Sequence, residues 1–246
     1  KKEKIEILKW ISGQEDLNSV SQAEFSSFVK HFFRSGIDTA LIAGESVSLL
    51  ERCMEKKISV ISVLDPDYPP LLEEIFDPPA VLFYRGSRPD PSGFCLSIVG
   101  TRHASGRALR ASFETAFLFS LSSVNVVSGL ALGIDAEAHK GAAFSGGKTT
   151  AVLGCGVDVV YPKANRRTAE IILESGGTIV SEYEPGTMPL KYHFPERNRI
   201  ISGLSAATIV IEAPEGSGAL ITADYALEQG RDVFLHSAGL LNRNRC

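Results

Sequence analysis

The residues of this chain that could do chemistry sit in short glycine-containing turns that also carry hydroxyls and cations. Gly100, Thr101 and Arg102 form one such turn, where a bare backbone, a hydroxyl and a guanidinium fork suit a phosphate. Ser128 and Gly129 open a second, "SGLALGID", which runs through Gly133 to Asp135. Gly154 and Gly156 lie in a third, "GCGVDVVYPKANRR", with Lys163 further along. The stretch "EYEPGTMPLKYHFPERNR" carries Lys191, Phe194, Arg197, Asn198 and Arg199. Gly216, Ser217 and Gly218 precede an apolar helical segment, where backbone N–H groups and the helix dipole favour an anion. Cations and N–H groups can track a phosphate backbone, and an aromatic face such as that of Phe194 accepts any unpaired base by stacking. The chemistry these types support is non-covalent binding of a single-stranded nucleic acid.

Covalent chemistry has weaker candidates. Neither a G-x-G-x-x-G fingerprint nor a G-x-x-x-x-G-K-[ST] loop is present, which argues against dinucleotide enzymes and P-loop NTPases. Asp135 and His139 are spaced i, i+4, but no third ligand has suitable spacing. A helix cap and a packed histidine explain them better. Cys155, between two glycines, reads as a small residue at a crowded turn. Arg197 and Arg199 straddle Asn198 at a helix start, where one can pair with Glu196 or Glu182; "NRR" at 165–167 reads as a solvated helix end. No catalytic residue, metal or cofactor is expected.

Such turns need a scaffold, and the sequence supplies a regular one. From Cys95, six short apolar runs each end at a glycine or polar turn: "CLSIVG", "VNVVSG", "TTAVLGCG", "TIVSE", "ATIVIEA" and "DVFLH". Helix-length segments such as "RALRASFETAFLFSL", "DAEAHKGAAFSG", "NRRTAEIILESG" and "ALITADYALEQG" separate them. Alternation of this kind predicts an α/β fold: a Rossmann-like, doubly wound, mostly parallel sheet covered on both faces. Ligands in such folds bind outside the carboxyl ends of the strands, where the turns above fall.

Residues 1–57 predict a small helical N-terminal domain, with apolar residues at helical spacing through Ile5, Leu8 and Ile11, then Phe25, Phe28, Val29, Phe32 and Phe33. Residues 58–93 read as a lead-in of strand, proline-bounded helix and strand, ending in the linker "RPDPSG". Residues 94–246 form the predicted Rossmann-like domain. The hydrophobic share is 44% and the charged share 22%, ordinary for a globular protein. No apolar run reaches the roughly 18 residues of a membrane span. Cys53, Cys95, Cys155 and Cys246 form no C-x-x-C pair, so reduced thiols and a cytoplasmic location are expected. The net charge of −4 argues against nucleic acid until the chain is divided. Residues 1–92 hold 11 Lys/Arg against 15 Asp/Glu, and residues 93–246 hold 14 against 14, so overall acidity says little about a local basic patch.

The motifs "SIVGTRHAS", "VVSGLALGIDAEAHKGA", "AVLGCGVDVVYPKANR", "SEYEPGT", "HFPERNRIISGLS" and "EAPEGSGALITADYALEQGRDVF" together resemble the DNA-processing protein A family (DprA, also called Smf). The resemblance covers about residues 64 to 236. It implies an extended Rossmann-like domain that binds single-stranded DNA without sequence preference and is not an enzyme. It also implies homodimers, a bacterial cytoplasmic protein, and a role in natural transformation: protecting incoming strands and loading the RecA recombinase. The family's binding arginine falls on Arg102, its "YPK" lysine on Lys163, its next lysine on Lys191 and its pocket aromatic on Phe194. Departures are a turn about two residues shorter between Ser105 and Gly106, Leu132 in place of a helix arginine, and "HSAG" in place of "VPG". A further strand and helix, and any C-terminal winged helix, are expected to be missing after "LNRNRC". The alternative is a nucleotide-binding enzyme of the nucleoside-monophosphate phosphoribohydrolase type. Its loop resembles "EGSGALITA", but the catalytic glutamate of its pattern is absent: Ala219, Leu220, Ile221 and Thr222 follow Gly218.

Overall fold

The computed structural model describes residues 39–89 and 93–240. The chain divides into two units, residues 1–55 and 56–246. Of the first unit one helix is described, α1 (Thr39–Glu55). The periodic apolar positions from Ile5 to Phe33 and the linker residues 90–92 lie outside the described residues.

The second unit is built on one eight-stranded sheet. Its strands are β1 (Ser59–Ser62), β2 (Val81–Gly86), β3 (Cys95–Val99), β4 (Asn125–Ser128), β5 (Thr149–Val152), β6 (Thr178–Ser181), β7 (Ala207–Val210) and β8 (Asp232–Leu235). They lie in the order β1-β2-β6-β5-β4-β3-β7-β8. The six apolar runs read from the sequence are β3 to β8, all paired in parallel. The lead-in strands extend this same sheet: β1 pairs antiparallel with β2, and β2 antiparallel with β6. Both strands of the lead-in therefore belong to the same sheet.

Helices cover both faces, as alternation of buried strands and helices requires. They are α2 (Pro70–Glu73), α3 (Gly106–Leu121), α4 (Ile134–Phe144), α5 (Arg166–Glu174), α6 (His193–Gly203), α7 (Gly218–Glu228) and α8 (Ser237–Leu240). Successive strand residues serve opposite faces. Val99, Val127, Val152, Val180 and Val210 pack with Leu72 of α2, Ile200 and Ile201 of α6, and Ala219 and Ala223 of α7. Leu96, Ile98, Val126 and Ile209 pack with Ala108, Ala111 and Ala116 of α3 and Ile134, Ala138 and Ala142 of α4. The stretch 182–199 becomes helical at His193, because Ile200, Ile201 and the buried side chains of Arg197 and Asn198 face inward at helical spacing.

Strand order decides where a ligand fits. From β3 the chain proceeds outward through β4, β5 and β6, then returns to the other side of β3 with β7 and β8. The connections leaving β3 and β7 thus run in opposite directions and open a crevice at their carboxyl ends.

Helices α3 and α4 approach so closely that a methyl group at Gly141 would overlap the carbonyl oxygen of Phe113. Gly141→Ala gains about 1 kcal/mol of helix propensity. Pushing α4 off a main-chain oxygen costs about 1–3 kcal/mol or more. A net loss is expected, lowering the melting temperature by about 2–4 °C per kcal/mol. A rise in the thermal melt would show that the helices have room to part.

Candidate nucleic-acid interface

A cleft of about 630 Å³ opens at the carboxyl ends of β3 and β7. Its walls are the turn after β3, the turn after β7 with the first turns of α7, and the first turns of α6. Gly100, Thr101, Arg102, Lys191, Phe194, Arg197, Asn198, Ser217 and Gly218 line it, so nine of the residues expected from the sequence converge.

The turn after β3 is tied down by β7. The Thr101 N–H donates to the Glu212 carbonyl at 2.7 Å, and the Ser105 N–H donates to the Glu212 carboxylate at 2.8 Å. Ser105 then caps α3, its hydroxyl accepting from the Ala108 N–H at 3.2 Å, so the short Ser105–Gly106 turn closes directly into a helix. On the opposite wall Gly216 adopts a positive φ of 74°, which the tight turn requires, and Ser217 caps α7 through the Ala219 N–H. The N-terminus of α7 therefore opens on the cleft, as the sequence led one to expect.

Three cations stand at the mouth. Arg102 and Lys191 line the cleft and are exposed; Lys163 is exposed but lies just outside the lining, two residues after Tyr161, which is part of it. Among the described residues none of the three takes part in an ion pair. The Arg102 guanidinium lies 5.6 Å from the centroid of Phe194, a cation–π distance. Glu215 adds one exposed carboxylate to the same lining. Phe194 is half-buried in the first turn of α6, with its ring 5.5 Å from that of Tyr161.

Several expected contact residues turn out to be internal. Arg197 is only 4% exposed, and its guanidinium donates to the carbonyls of Gly129 (2.8 Å) and Val152 and to the Asn198 side-chain oxygen (3.2 Å). These bonds make it a clamp between α6 and the ends of β4 and β5, while its side chain also borders the cleft. Asn198 is 9% exposed; it accepts from Arg197 and donates to the Gly218 carbonyl at 3.1 Å, holding the start of α7. Ser128 is fully buried and donates to the Ile98 carbonyl at 2.6 Å, a link between neighbouring strands. A Cβ on Gly129 would lie 2.7 Å from the Arg197 guanidinium and 2.8 Å from the Asp135 carboxylate. One on Gly154 would press on Phe194 and the His193 backbone, and one on Gly156 would lie 2.7 Å from the Glu184 carbonyl. Ser128, Gly129, Gly154 and Gly156 thus answer to close packing, and none of them lines the cleft.

Asp135 also differs from its expected role. Gly133 occupies the N-cap of α4, while the Asp135 carboxylate accepts from the Gly129 and Ala131 N–H groups at 3.1 and 3.3 Å. Burial raises the Asp135 carboxyl above its usual range, opposed by the Arg197 charge and these two N–H groups. Burial likewise brings Arg197 down to about 10, so it stays charged at neutral pH. Asn165, expected on a solvated end, is buried and donates to the Leu130 and Ala131 carbonyls at 2.8 and 2.9 Å. It holds Leu130 in a left-handed conformation, φ 55°, that a branched-chain residue rarely adopts. Arg166 and Arg167 do lie on the surface, and Arg199 pairs with Glu182 at 2.6 Å.

His139 is a packed histidine. Thr149 donates its hydroxyl proton to the Val126 carbonyl at 2.6 Å, so its oxygen accepts from His139 Nδ1–H at 2.7 Å. Burial depresses this imidazole to about 3. Cys155 is buried against the Val159 carbonyl, and burial raises its thiol to about 11, far from a nucleophile's range.

The model of the DNA recombination-mediator protein A family matches residues 59–245. The chain belongs to this family, the DprA/Smf proteins. It is 45% identical over 187 residues to the DNA processing protein DprA of Streptococcus pneumoniae, covering 76% of this chain and 66% of that one. It is 32% identical over 243 residues to the protein Smf of Borreliella burgdorferi, covering 94% and 77%. Against the Synechocystis protein Smf it spans 47% of that protein's length, so this chain covers about half to two thirds of several longer family members. The X-ray structure of the S. pneumoniae protein superposes with a TM-score of 0.76 at 35% identity, covering 98% of this chain and 83% of that one. The structure of the Helicobacter pylori DNA processing protein A, reported for its single-stranded DNA binding mode, gives 0.65 at 28% identity, covering 73% and 80%. The extended Rossmann-like architecture expected from the sequence is the one observed. No helix of the described residues is long and apolar enough to cross a membrane.

Two residues of the lining were legible only in three dimensions. Glu215 and Tyr161 carry no spacing signal of their own, though Tyr161 stands two places before Lys163 in the "YPK" motif.

Removing the clamp should be costly. Arg197→Ala leaves the buried Gly129 and Val152 carbonyls without this donor and removes the positive charge that favours the buried Asp135 carboxylate, and is expected to lower stability by about 3–5 kcal/mol in denaturant titration. Arg102→Ala, on the surface, should stay within about 0.5 kcal/mol. His139 sets a pH dependence. The unfolded histidine titrates near 6.5 and the native one near 3, so only the unfolded chain takes up the proton between them. Stability should be complete above pH 6.5 and fall as pH drops toward 3, and His139→Leu should flatten that part of the melting-temperature profile.

Proposed function

We propose that this protein binds single-stranded DNA without sequence preference and acts in DNA processing during natural transformation, protecting incoming strands and loading the RecA recombinase. The observation that carries the reading is the cleft at the β3–β7 switch. There the half-buried ring of Phe194, with Arg102 over it, shares the lining with the exposed Lys191 and the N-terminus of α7. Cations and α7 would hold successive phosphates, and the ring would take a base in any sequence context. The contacts on DNA would be Gly100, Thr101, Arg102, Lys163, Lys191, Phe194, Ser217 and Gly218. Arg197 and Asn198 would position them from beneath. The family's description as recombination mediators and the H. pylori neighbour's reported binding mode support the DNA and RecA assignments. A homodimer in a bacterial cytoplasm, with no chemical step of its own, is the corresponding proposal for assembly, place and activity.

Binding of mixed-sequence oligonucleotides at several salt concentrations tests this. Single strands should bind far better than duplex, since a stacked base must be unpaired. Three phosphate contacts predict a log–log salt slope of about −2, at roughly −0.7 per contact, and Arg102→Ala, Lys163→Ala or Lys191→Ala should each reduce its size by about 0.7. Phe194→Ala should cost about 1–3 kcal/mol of binding. Equal affinity for duplex and single strand would overturn the stacking model.

A further inference from the structure

We propose that Tyr161 is a second stacking residue of the cleft, so that a single strand crosses two aromatic rings in succession; the inference rests on the single-stranded DNA reading above. Tyr161 lines the cleft and is 44% exposed, and among the described residues its hydroxyl has no hydrogen-bond partner. Its ring packs against Phe194 and keeps much of its surface open where it lines the cleft.

Its position is firmly set. The Val159 N–H donates to the Gly156 carbonyl at 2.9 Å on one side. On the other, the Asn165 N–H donates to the Pro162 carbonyl at 2.9 Å, and the Asn165 side chain is anchored to Leu130 and Ala131. A ring held on such a base loses little freedom when a ligand arrives, which favours binding. The ring lies 5.5 Å from that of Phe194, with planes inclined by 40°. Sandwiching one base between them would need two stacking steps of about 3.4 Å each, more than that separation. The two rings therefore serve different bases, side by side. Cations accompany the pair: Arg102 over the Phe194 ring, Lys191 in the same lining and Lys163 two residues after Tyr161. This is the combination of cations and aromatic faces that sequence-tolerant single-strand binding uses.

Wild type, Tyr161→Ala and Tyr161→Phe are titrated with labelled oligo(dT) and with an abasic oligonucleotide of equal length, and their melting temperatures are recorded. Tyr161→Ala should weaken oligo(dT) binding about tenfold, the loss of one stacked base. Its affinity for the abasic strand and its salt slope should not change, because no charge is removed. Tyr161→Phe should stay within about twofold of wild type, since the ring is retained. Photocrosslinking of wild type to a 5-iodouracil oligonucleotide, with peptide mapping, should give adducts on both Tyr161 and Phe194. A folded Tyr161→Ala that binds oligo(dT) within about twofold of wild type would overturn the assignment, as would equal losses on abasic and base-bearing strands. Adducts on Phe194 with none on Tyr161 would also overturn it, whether or not the alanine variant folds. Wild type that fails to bind any single strand would instead overturn the DNA reading itself.

Discussion

The burial of the Arg197 guanidinium, with the Asp135 carboxylate buried close by, is the constraint on which the candidate site depends. Taking a guanidinium and a carboxylate out of water is costly unless every polar direction is satisfied. Here the guanidinium is shared between two carbonyls at the ends of β4 and β5 and the side chain of Asn198, and the carboxylate takes two main-chain N–H groups. That demand explains Gly129, which leaves room for both charged groups. It also joins α4, α6 and the carboxyl ends of β4 and β5 at one point. Asn198 carries the linkage onward to the Gly218 carbonyl, and so to the start of α7.

A division of labour follows. Groups beneath the cleft are buried and engaged in the fold, whereas those at its mouth are exposed and make few commitments within the protein. Among the described residues Arg102, Lys163 and Lys191 form no ion pair, which suits release of counterions from a phosphate chain. The turns that carry the mouth residues are nonetheless fixed from behind: the β3 turn by Glu212, the "YPK" turn by Asn165, and the α7 turn by Asn198. Mobile side chains on immobile backbone let a polyanion be gripped at several points without reordering the fold. The overall charge of −4 is compatible with this, because electrostatic attraction depends on where the cations stand.

The lead-in has a structural part in the same arrangement. β2 extends the sheet beyond β6, and the short helix α2 and the residues just after it lay Leu72 and Ile75 against the face that α6 and α7 also cover. Gly203 near the end of α6 lies against these same two side chains, where a Cβ would come within 2.8 Å of Leu72. α6 is thus held at its start by Arg197 and at its end by the lead-in, which keeps Phe194 at the cleft.

The strands, most of the helices and the glycine turns were legible in the sequence because they depend on local pattern. Apolar runs of four to six residues, punctuated by glycine and separated by helix-length segments, leave few alternatives to a parallel sheet, and its strand ends locate a ligand crevice. Ser217 at a helix start and Arg102 after the first parallel strand were likewise readable from residue type and position. What the sequence by itself could not decide is which polar residues face the crevice and which face inward. Arg197 and Lys191 both look like phosphate ligands in one dimension; burial and three acceptors make the first a clamp, and exposure leaves the second available. Gly129, Gly154 and Gly156 look like a phosphate cradle but answer to the close approach of Arg197, of Phe194 and of the Glu184 backbone. Tyr161 joins Phe194 although 33 positions separate them in the chain. Local propensity follows from a residue and its neighbours, whereas burial and partnership depend on elements far apart in sequence, and only their packing settles them.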